Sequence, residues 1–428
     1  MIKQLIKALA SSDVDNFKIT EIENNTNEAY YVLQKLETAR ETKVIEYQVT
    51  IFKEFKEGVT SFLGSSSFNV PYKLTSKQLS KKIEDALYSA SFVKNKTYEL
   101  PVGDGKKHNF KQKKITDNPY KLLDDVAKTF ISVSKPNQKF NSLEVFYKEA
   151  IIRVVTSTGI DYKKNTYSLE VEAIPSYDGF KPEDHVNQKV ELYKYFRYQN
   201  ANLELIKKDA IQALDDVKAR YEATKLPFSG NVDVIIRDED IRSLCGSLIG
   251  NYSYSGVYNG STDKKVGDEV QKGTGEKLSI GLDLLNSADR FDNDGVLLKP
   301  VEVIKDGILN SYFGDNRFAQ YLGVKPTGNL KSLKVKAGKS STEEILSGKY
   351  LEIISLSGIQ IDIYSSYIGG EVRLANYHDG DKVIPVSGFS FSGNLFDALA
   401  DIKISKEVTS KLGYSGPRFI RLPNLGVL

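Results

Sequence analysis

The chain of 428 residues has one cysteine, Cys245, and three histidines, His108, His185 and His378. A single cysteine excludes an intrachain disulfide and any zinc site built on several thiolates. Three widely spaced histidines, each in a polar stretch that reads as a loop, leave no HExxH pair on a helix. A helical zinc-peptidase site therefore cannot be assembled from this chain alone. No run approaches the roughly 20 apolar residues that a membrane span needs. The opening MIKQLIKALASSDVDNF is too poor in apolar residues for a secretory signal and reads as an amphipathic helix. Charge of one sign is also missing: 59 Lys and Arg face 56 Asp and Glu, a net charge of +3 that gives no strong field for nucleic acid or anionic lipid. These absences point to a cytoplasmic protein, with no membrane and no direct nucleic-acid partner expected.

The chain is long enough for two or three domains with cores of their own, and 40% hydrophobic with 27% charged residues is a globular balance. Ile45, Tyr47, Val49 and Ile51 alternate with polar residues at the period of a half-buried strand, and Gly58 marks a turn into a second strand. Thr75 with Gln78 forms a capping box before the apolar stripe Leu79, Ile83, Ala86, Leu87, Ala90. Pro119 opens a second helix with Leu122, Leu123, Val126, Ala127 and Phe130 inward. Residues 141–174 read as strand, turn at Thr158–Gly159, and strand. A long helix over about 201–224 ends at the stop KLPFSG (225–230), where the spacing places a domain boundary. Beyond it glycine is frequent, and strands are expected at 301–304, 351–357, 359–364 and 371–374. The expected class is α+β: an N-terminal helix/sheet domain, residues 1–224, followed by a strand-rich, mixed or barrel-like β domain, residues 230–428.

Single motifs carry little chemistry. GDGKK (103–107) and GTGEK (273–277) lack the phosphate-loop pattern and read as solvated turns, and the basic run 106–114 reads as a solvated loop or arm. RFDNDG (290–295) has Arg290 and Val301 where a calcium loop needs carboxylates. GFSFSG (388–393) has Ser392 where a nucleophile elbow needs its second glycine. Cys245, between Leu244 and Gly246 and far from any histidine, reads as a buried structural thiol. RDEDIRSLCGSLIGN (237–251) follows the strand-like run 232–236 and reads as a helix. No catalytic residue is assigned.

Several segments in order resemble the TldD/PmbA family, also called modulator of DNA gyrase. They are SFVKNKTYELP (91–101), RVVTSTGIDYKKNTYS (153–168), RFDNDGV and VIKDGIL (290–309), RFAQYLG and PTGN (317–329), IPVSGFSFSGNLFDALADI (384–402) and RLPNL (421–425). The resemblance implies two related subunit types that pair into one peptide-cleaving protease, which includes maturation of certain peptide toxins. The TldD type holds a metal on an HExxxH helix and a later cysteine; the PmbA/TldE type has the same fold without them. SLCGSLIGNYS (243–253) lies where the family has its metal helix, yet offers no histidine, and SGPRF (415–419) lacks the ligand cysteine. Ser247 and Asn251 or Tyr252 stand at the ligand-like positions, so these three are the candidates for a substrate groove, and none binds zinc well. The resemblance therefore implies no metal or other cofactor in this chain and zinc in a TldD-type partner. It also implies a heterodimer with that partner, a homodimer when alone, and an extended peptide as substrate. Two alternatives stand beside it: a non-enzymatic binding or regulatory protein acting on a toxin or gyrase-related partner, and an independent serine or cysteine hydrolase.

Overall fold

A computed structural model describes residues 1–428 except 72–73, 182–185, 381 and 412; His185 lies outside the described residues. The first half runs α1 (Ile2–Ala10), β1 (Asn16–Val32), β2 (Lys35–Glu57), β3 (Thr60–Val70), α2 (Ser76–Ala90), β4 (Lys107–Lys111) and α3 (Pro119–Ser132). It continues through β5 (Gln138–Thr156), β6 (Asp161–Lys181), β7 (Val186–Glu191), β8 (Lys194–Tyr198) and α4 (Leu203–Glu222). Its strands form one sheet, ordered β3-β2-β1-β5-β6-β4, with β7 and β8 also on β6. Phe17, Ile19, Ala29 and Tyr31, at odd positions of β1, point to the same face. α1 and α2 cover the Phe17 end of that face, and α3 and α4 cover the Tyr31 end.

The second half begins with β9 (Gly230–Arg237), α5 (Glu239–Gly250), α6 (Tyr254–Tyr258), β10 (Ile280–Leu282), β11 (Val301–Lys305) and β12 (Ile308–Leu309). Then come α7 (Asn316–Tyr321), β13 (Leu333–Val335), α8 (Thr342–Ile345), β14 (Lys349–Asp362), β15 (Tyr367–Asp379) and β16 (Lys382–Val386). The chain ends with β17 (Phe389–Asn394), α9 (Leu395–Ala400), β18 (Lys403–Ile404), β19 (Val408–Lys411), β20 (Tyr414–Pro417) and β21 (Phe419–Val427). One sheet runs β14-β9-β21-β17-β15-β16, and a further β14–β15 pairing closes β14, β9, β21, β17 and β15 into a small barrel. The other sheet runs β12-β11-β10-β13-β20-β19. Both are mixed, since β14 pairs parallel with β9 and β13 parallel with β20. α5 packs against β9, β14 and β13, so it joins the two sheets through one core.

The α+β class is as expected, and the capping box at Thr75 is formed as read. Three local readings change. Residues 351–357 and 359–362 belong to a single strand, β14, whose register slips between Ile353 and Ile359, while 363–364 lie in the turn that follows; Gly358, at φ 151°, marks the bulge rather than a strand end. The basic run 106–114 is not all loop: Lys107–Lys111 pairs in parallel with β6 as a sheet edge, with charged side chains of the kind that blunt an edge. His108 and His378 lie on strands β4 and β15, not in loops.

Arg421 on β21 locks the barrel to the turn after α8. Its guanidinium donates to the carbonyls of Ile345, Ser347 and Lys349 and pairs with Asp233 at 2.7 Å, while its side chain is only 11% exposed. Substituting Arg421→Met removes four partners from one buried cation and leaves three carbonyls and a carboxylate to rehydrate. The expected loss is about 3 kcal/mol, read as a lower midpoint in urea unfolding.

Candidate functional site

The chain leaves β9 at Arg237 and turns through Asp238 at φ 45°, a left-handed position for a non-glycine residue, before α5 begins. Lys411 pairs with the Asp238 carboxylate and holds this turn. From there Ile241, Leu244, Cys245, Leu248 and Ile249 recur at helical spacing, and all are buried in the core. That stripe sets where every other α5 side chain faces. Arg242 is directed out of the core and into a wide cleft.

The three groove candidates lie toward the other end of the helix. Ser247 is half-buried, Asn251 is the half-buried C-cap, and Tyr252 is buried in the core. Tyr252 and Leu248 line a cavity of about 20 Å³, closed by Ile363, Phe396 and Leu399 among others. The wide cleft is lined by none of the three. Zinc needs imidazole, thiolate or carboxylate donors. Around Ser247, Asn251 and Tyr252 the helix and its C-cap offer hydroxyl and amide groups instead; the two carboxylates, Glu239 and Asp240, stand in the first turn at the other end, and the one sulfur faces the core. Cys245 is fully buried, and desolvation pushes its thiol up to about 12. These residues do not fit a zinc ion.

Asp240, in the first turn of α5, behaves in the opposite way to most carboxylates. Burial, with Glu239 and Asp238 beside it, pushes its pKa up to about 6, and Arg237 only partly offsets this. The positive end of the helix limits the cost without removing it.

The cleft has a volume of about 670 Å³. Its floor is the uncovered face of the first sheet: Asn24 and Thr26 of β1, Lys148, Ala150 and Ile152 of β5, Thr166 of β6. Its roof is the second half, from 283–293 and 329–332 with Arg242 above. β1 lies between β2 and β5, and β5 between β1 and β6, so the floor's backbone groups are already spent in the sheet. Whatever enters is held by side chains. Most of the charges there are paired: Lys148 and Arg197 with Glu170, Lys164 with Asp289 at 2.9 Å, Asp283 with Lys334 at 2.8 Å.

Two contacts keep floor and roof at a set distance. Phe291 packs with Tyr162, Val154 and Ile160 of the sheet in one apolar cluster. Beside it Asp292 is tied down by the backbone N–H groups of Asp294, Val296 and Asn329, and Lys18 of β1 pairs with Asp294 at 2.6 Å. On the other flank, residues 95–99 lie against α7: Asn316 and Gln320 donate to the Glu99 carbonyl, and Tyr321 donates to that of Lys96. The resemblance segments at 91–101, 153–168, 290–309 and 317–329 all contribute to these joints. Reading them singly for chemistry missed that they are structural seams. Arg242 was also missed, although the stripe's period sets it on a different face.

Known proteins agree with this architecture. Residues 229–427 match the family profile of the PmbA/TldA metallopeptidase C-terminal domain. An uncharacterized protein of Methanocaldococcus jannaschii is 21% identical over 380 residues, covering 82% of this chain and 83% of its own. A zinc metalloprotease TldD homolog of Saccharolobus solfataricus is 26% identical over 224 residues, 44% of this chain and 47% of its own length. Among solved structures, TldE from Thermococcus kodakarensis superposes with a TM-score of 0.77 at 17% identity, covering 100% of this chain and 98% of its own. A candidate modulator of a DNA gyrase from Thermotoga maritima gives 0.78 at 15%, covering 100% and 99%. The fold is thus that of a metallopeptidase-related protein. Residues 229–427 carry the C-terminal domain of the PmbA/TldA metallopeptidases, and the whole chain has the fold of these solved structures.

Two outcomes follow from the chemistry of α5. Cys245 in the native chain should react with a thiol reagent only as fast as the core opens, and at once in denaturant. For Asp240 the folded pKa lies above the unfolded value, so its stabilising protonation is complete below about pH 4 and is lost as pH rises through about 6. Substituting Asp240→Asn should therefore raise stability at pH 7 by about 1 to 2 kcal/mol, a gain that vanishes near pH 4 in denaturant titrations.

Proposed function

We propose that this chain is the metal-free, PmbA/TldE-type subunit of a TldD/TldE-like peptidase that works in the cytoplasm. The observation that carries this reading is the mismatch at α5: a family fold in which the helix carries no zinc donor set and its only thiol is sealed in the core. Hydrolysis then belongs to a TldD-type partner that holds zinc, with which this chain forms a heterodimer; alone it pairs with itself. Its own contribution is to hold an extended peptide. The cleft supports this role, because it is open, polar and walled by both halves, with alternating side chains on its floor. Residues 1–224 and 230–428 act as two domains whose seam shapes that cleft. On this reading the peptide lies in that cleft, under Arg242; Ser247, Asn251 and Tyr252 do not line it.

A tagged chain recovered from its native cells tests the reading. It should bring down, at equal stoichiometry, a protein with an HExxxH helix, together with zinc and peptide cleavage that disappear when that partner is deleted. Recovery of a lone homodimer without zinc or cleavage overturns it and favours a binding protein acting on a toxin or gyrase-related target. Substituting Ala150→Trp on the cleft floor should weaken peptide capture at least tenfold while partner binding persists. Loss of both together would mean that the cleft is partner surface, not peptide groove.

A further inference from the structure

Arg237, the last residue of β9, sits one step before the turn that starts α5, and its guanidinium is 3.4 Å from one oxygen of Glu352 on β14. The other oxygen of that carboxylate lies 3.6 Å from His378 Nε2 on β15. Both separations exceed the 2.7–2.9 Å of a charge-assisted hydrogen bond. His378 Nε2 is buried without a hydrogen-bond partner, and the imidazole is stacked on Tyr350 at 4.1 Å between ring centres. The stack and the strand hold the ring, so the carboxylate is the part that moves. One carboxylate stands between a guanidinium and an imidazole with a different oxygen toward each, and each contact is about 0.7 Å longer than a charge-assisted hydrogen bond.

We propose that His378, Glu352 and Arg237 form a proton-responsive latch: a proton on His378 pulls Glu352 toward the imidazole and away from Arg237, whose Nε stays bonded to the Ile353 carbonyl at the root of α5. The other charges around the ring are accounted for. Arg421 of β21 lies over Tyr350 and is spent on Asp233 and three carbonyls. Lys349 of β14 is paired with Asp379, and Lys382 of β16 acts on Asp379. Val383, opposite His378 on β16, is uncharged. Burial lowers the proton affinity of His378 and Glu352 raises it, with burial the larger effect. His378 therefore takes its proton below the ordinary histidine range, and at neutral pH the Glu352 carboxylate has Arg237 as its one charged partner of the two. Arg237 also acts on Asp240, and the first backbone bond of α5 runs from Arg242 N–H to the Asp238 carbonyl at 3.0 Å. Protonation of a strand histidine thus reaches the helix that carries Arg242 into the cleft.

The chain has only three histidines, so labelling them with ¹³C and titrating the full-length protein by NMR resolves His378, assigned by its loss in His378→Asn. Substituting Arg237→Gln should raise the His378 midpoint by about one pH unit, tenfold in proton affinity, because Glu352 is then free to serve the imidazole alone. Glu352→Gln should lower it by a similar amount, and Arg237→Lys should fall between wild type and Arg237→Gln. The amide signal of Arg242 in ¹⁵N-arginine-labelled protein should follow the His378 midpoint in the wild type and lose that transition in His378→Asn. The His108 signal and a thermal melt report whether each variant is folded, and Glu352→Gln decides alone if the arginine variants are not. Midpoints that stay within about 0.2 units in the folded variants, or an Arg242 amide blind to His378, overturn the latch.

Discussion

Burial of one helical stripe governs this half of the molecule. Ile241, Leu244, Cys245, Leu248 and Ile249 bring α5 into the core shared by the barrel and the six-stranded sheet. At about 1.5–3 kcal/mol for each fully buried large apolar side chain, that stripe contributes on the order of 10 kcal/mol before the entropy of ordering is subtracted. No polar residue on the helix can turn inward without giving up part of it. The helix therefore cannot rotate to offer Cys245 to a ligand, and it cannot withdraw Arg242 from the cleft. The unusual backbone of Asp238 follows from the same constraint: the chain must leave β9 and enter the helix within one residue, and the Lys411 pair helps to hold the strained position.

The sheet of the first half answers a different problem. β2 and β6 exceed 20 residues, far above ordinary strand length. Helices cover only the two ends of one face, and the second half covers part of the other. A sheet so long keeps uncovered surface wherever its neighbours stop, and the cleft floor is such a place. Since the floor strands are interior, their hydrogen bonds are spent, and selectivity there rests on side chains such as Lys148 and Thr166. This differs from strand addition at a free edge, which reads main chain and tolerates most sequences.

Much of this was legible in the sequence because local physics and the tertiary fold agree there. Thr75 with Gln78 and Pro119 start helices where capping rules place them, and the 206–217 stripe of α4 is buried as its period requires. Strand lengths were not legible. Alternation in β1 is lost between Glu23 and Glu28, where polar residues occupy both faces, although the strand is paired throughout this stretch on both sides. Gly358 reads as a break because a bulge and a strand end use the same residue. At the site, the missing zinc donors were visible directly as residue types. The cleft was not, since Asn24, Lys148, Asp289 and Asn329 come together only through long-range pairing.

The joints between the halves explain how a helix without metal donors keeps the family's shape. Nothing in the Phe291 cluster, the Asp292 loop or the contacts of α7 with residues 95–99 involves α5 chemistry. The cleft's width is set by these seams and by ion pairs such as Lys164–Asp289. The end of α5 near Leu248 and Tyr252 is closed by side chains that include Ile363, Phe396 and Leu399, which leave a cavity of only about 20 Å³. A chain built this way keeps an open cleft between its two halves and a rigid frame around it, while α5 above the cleft serves packing.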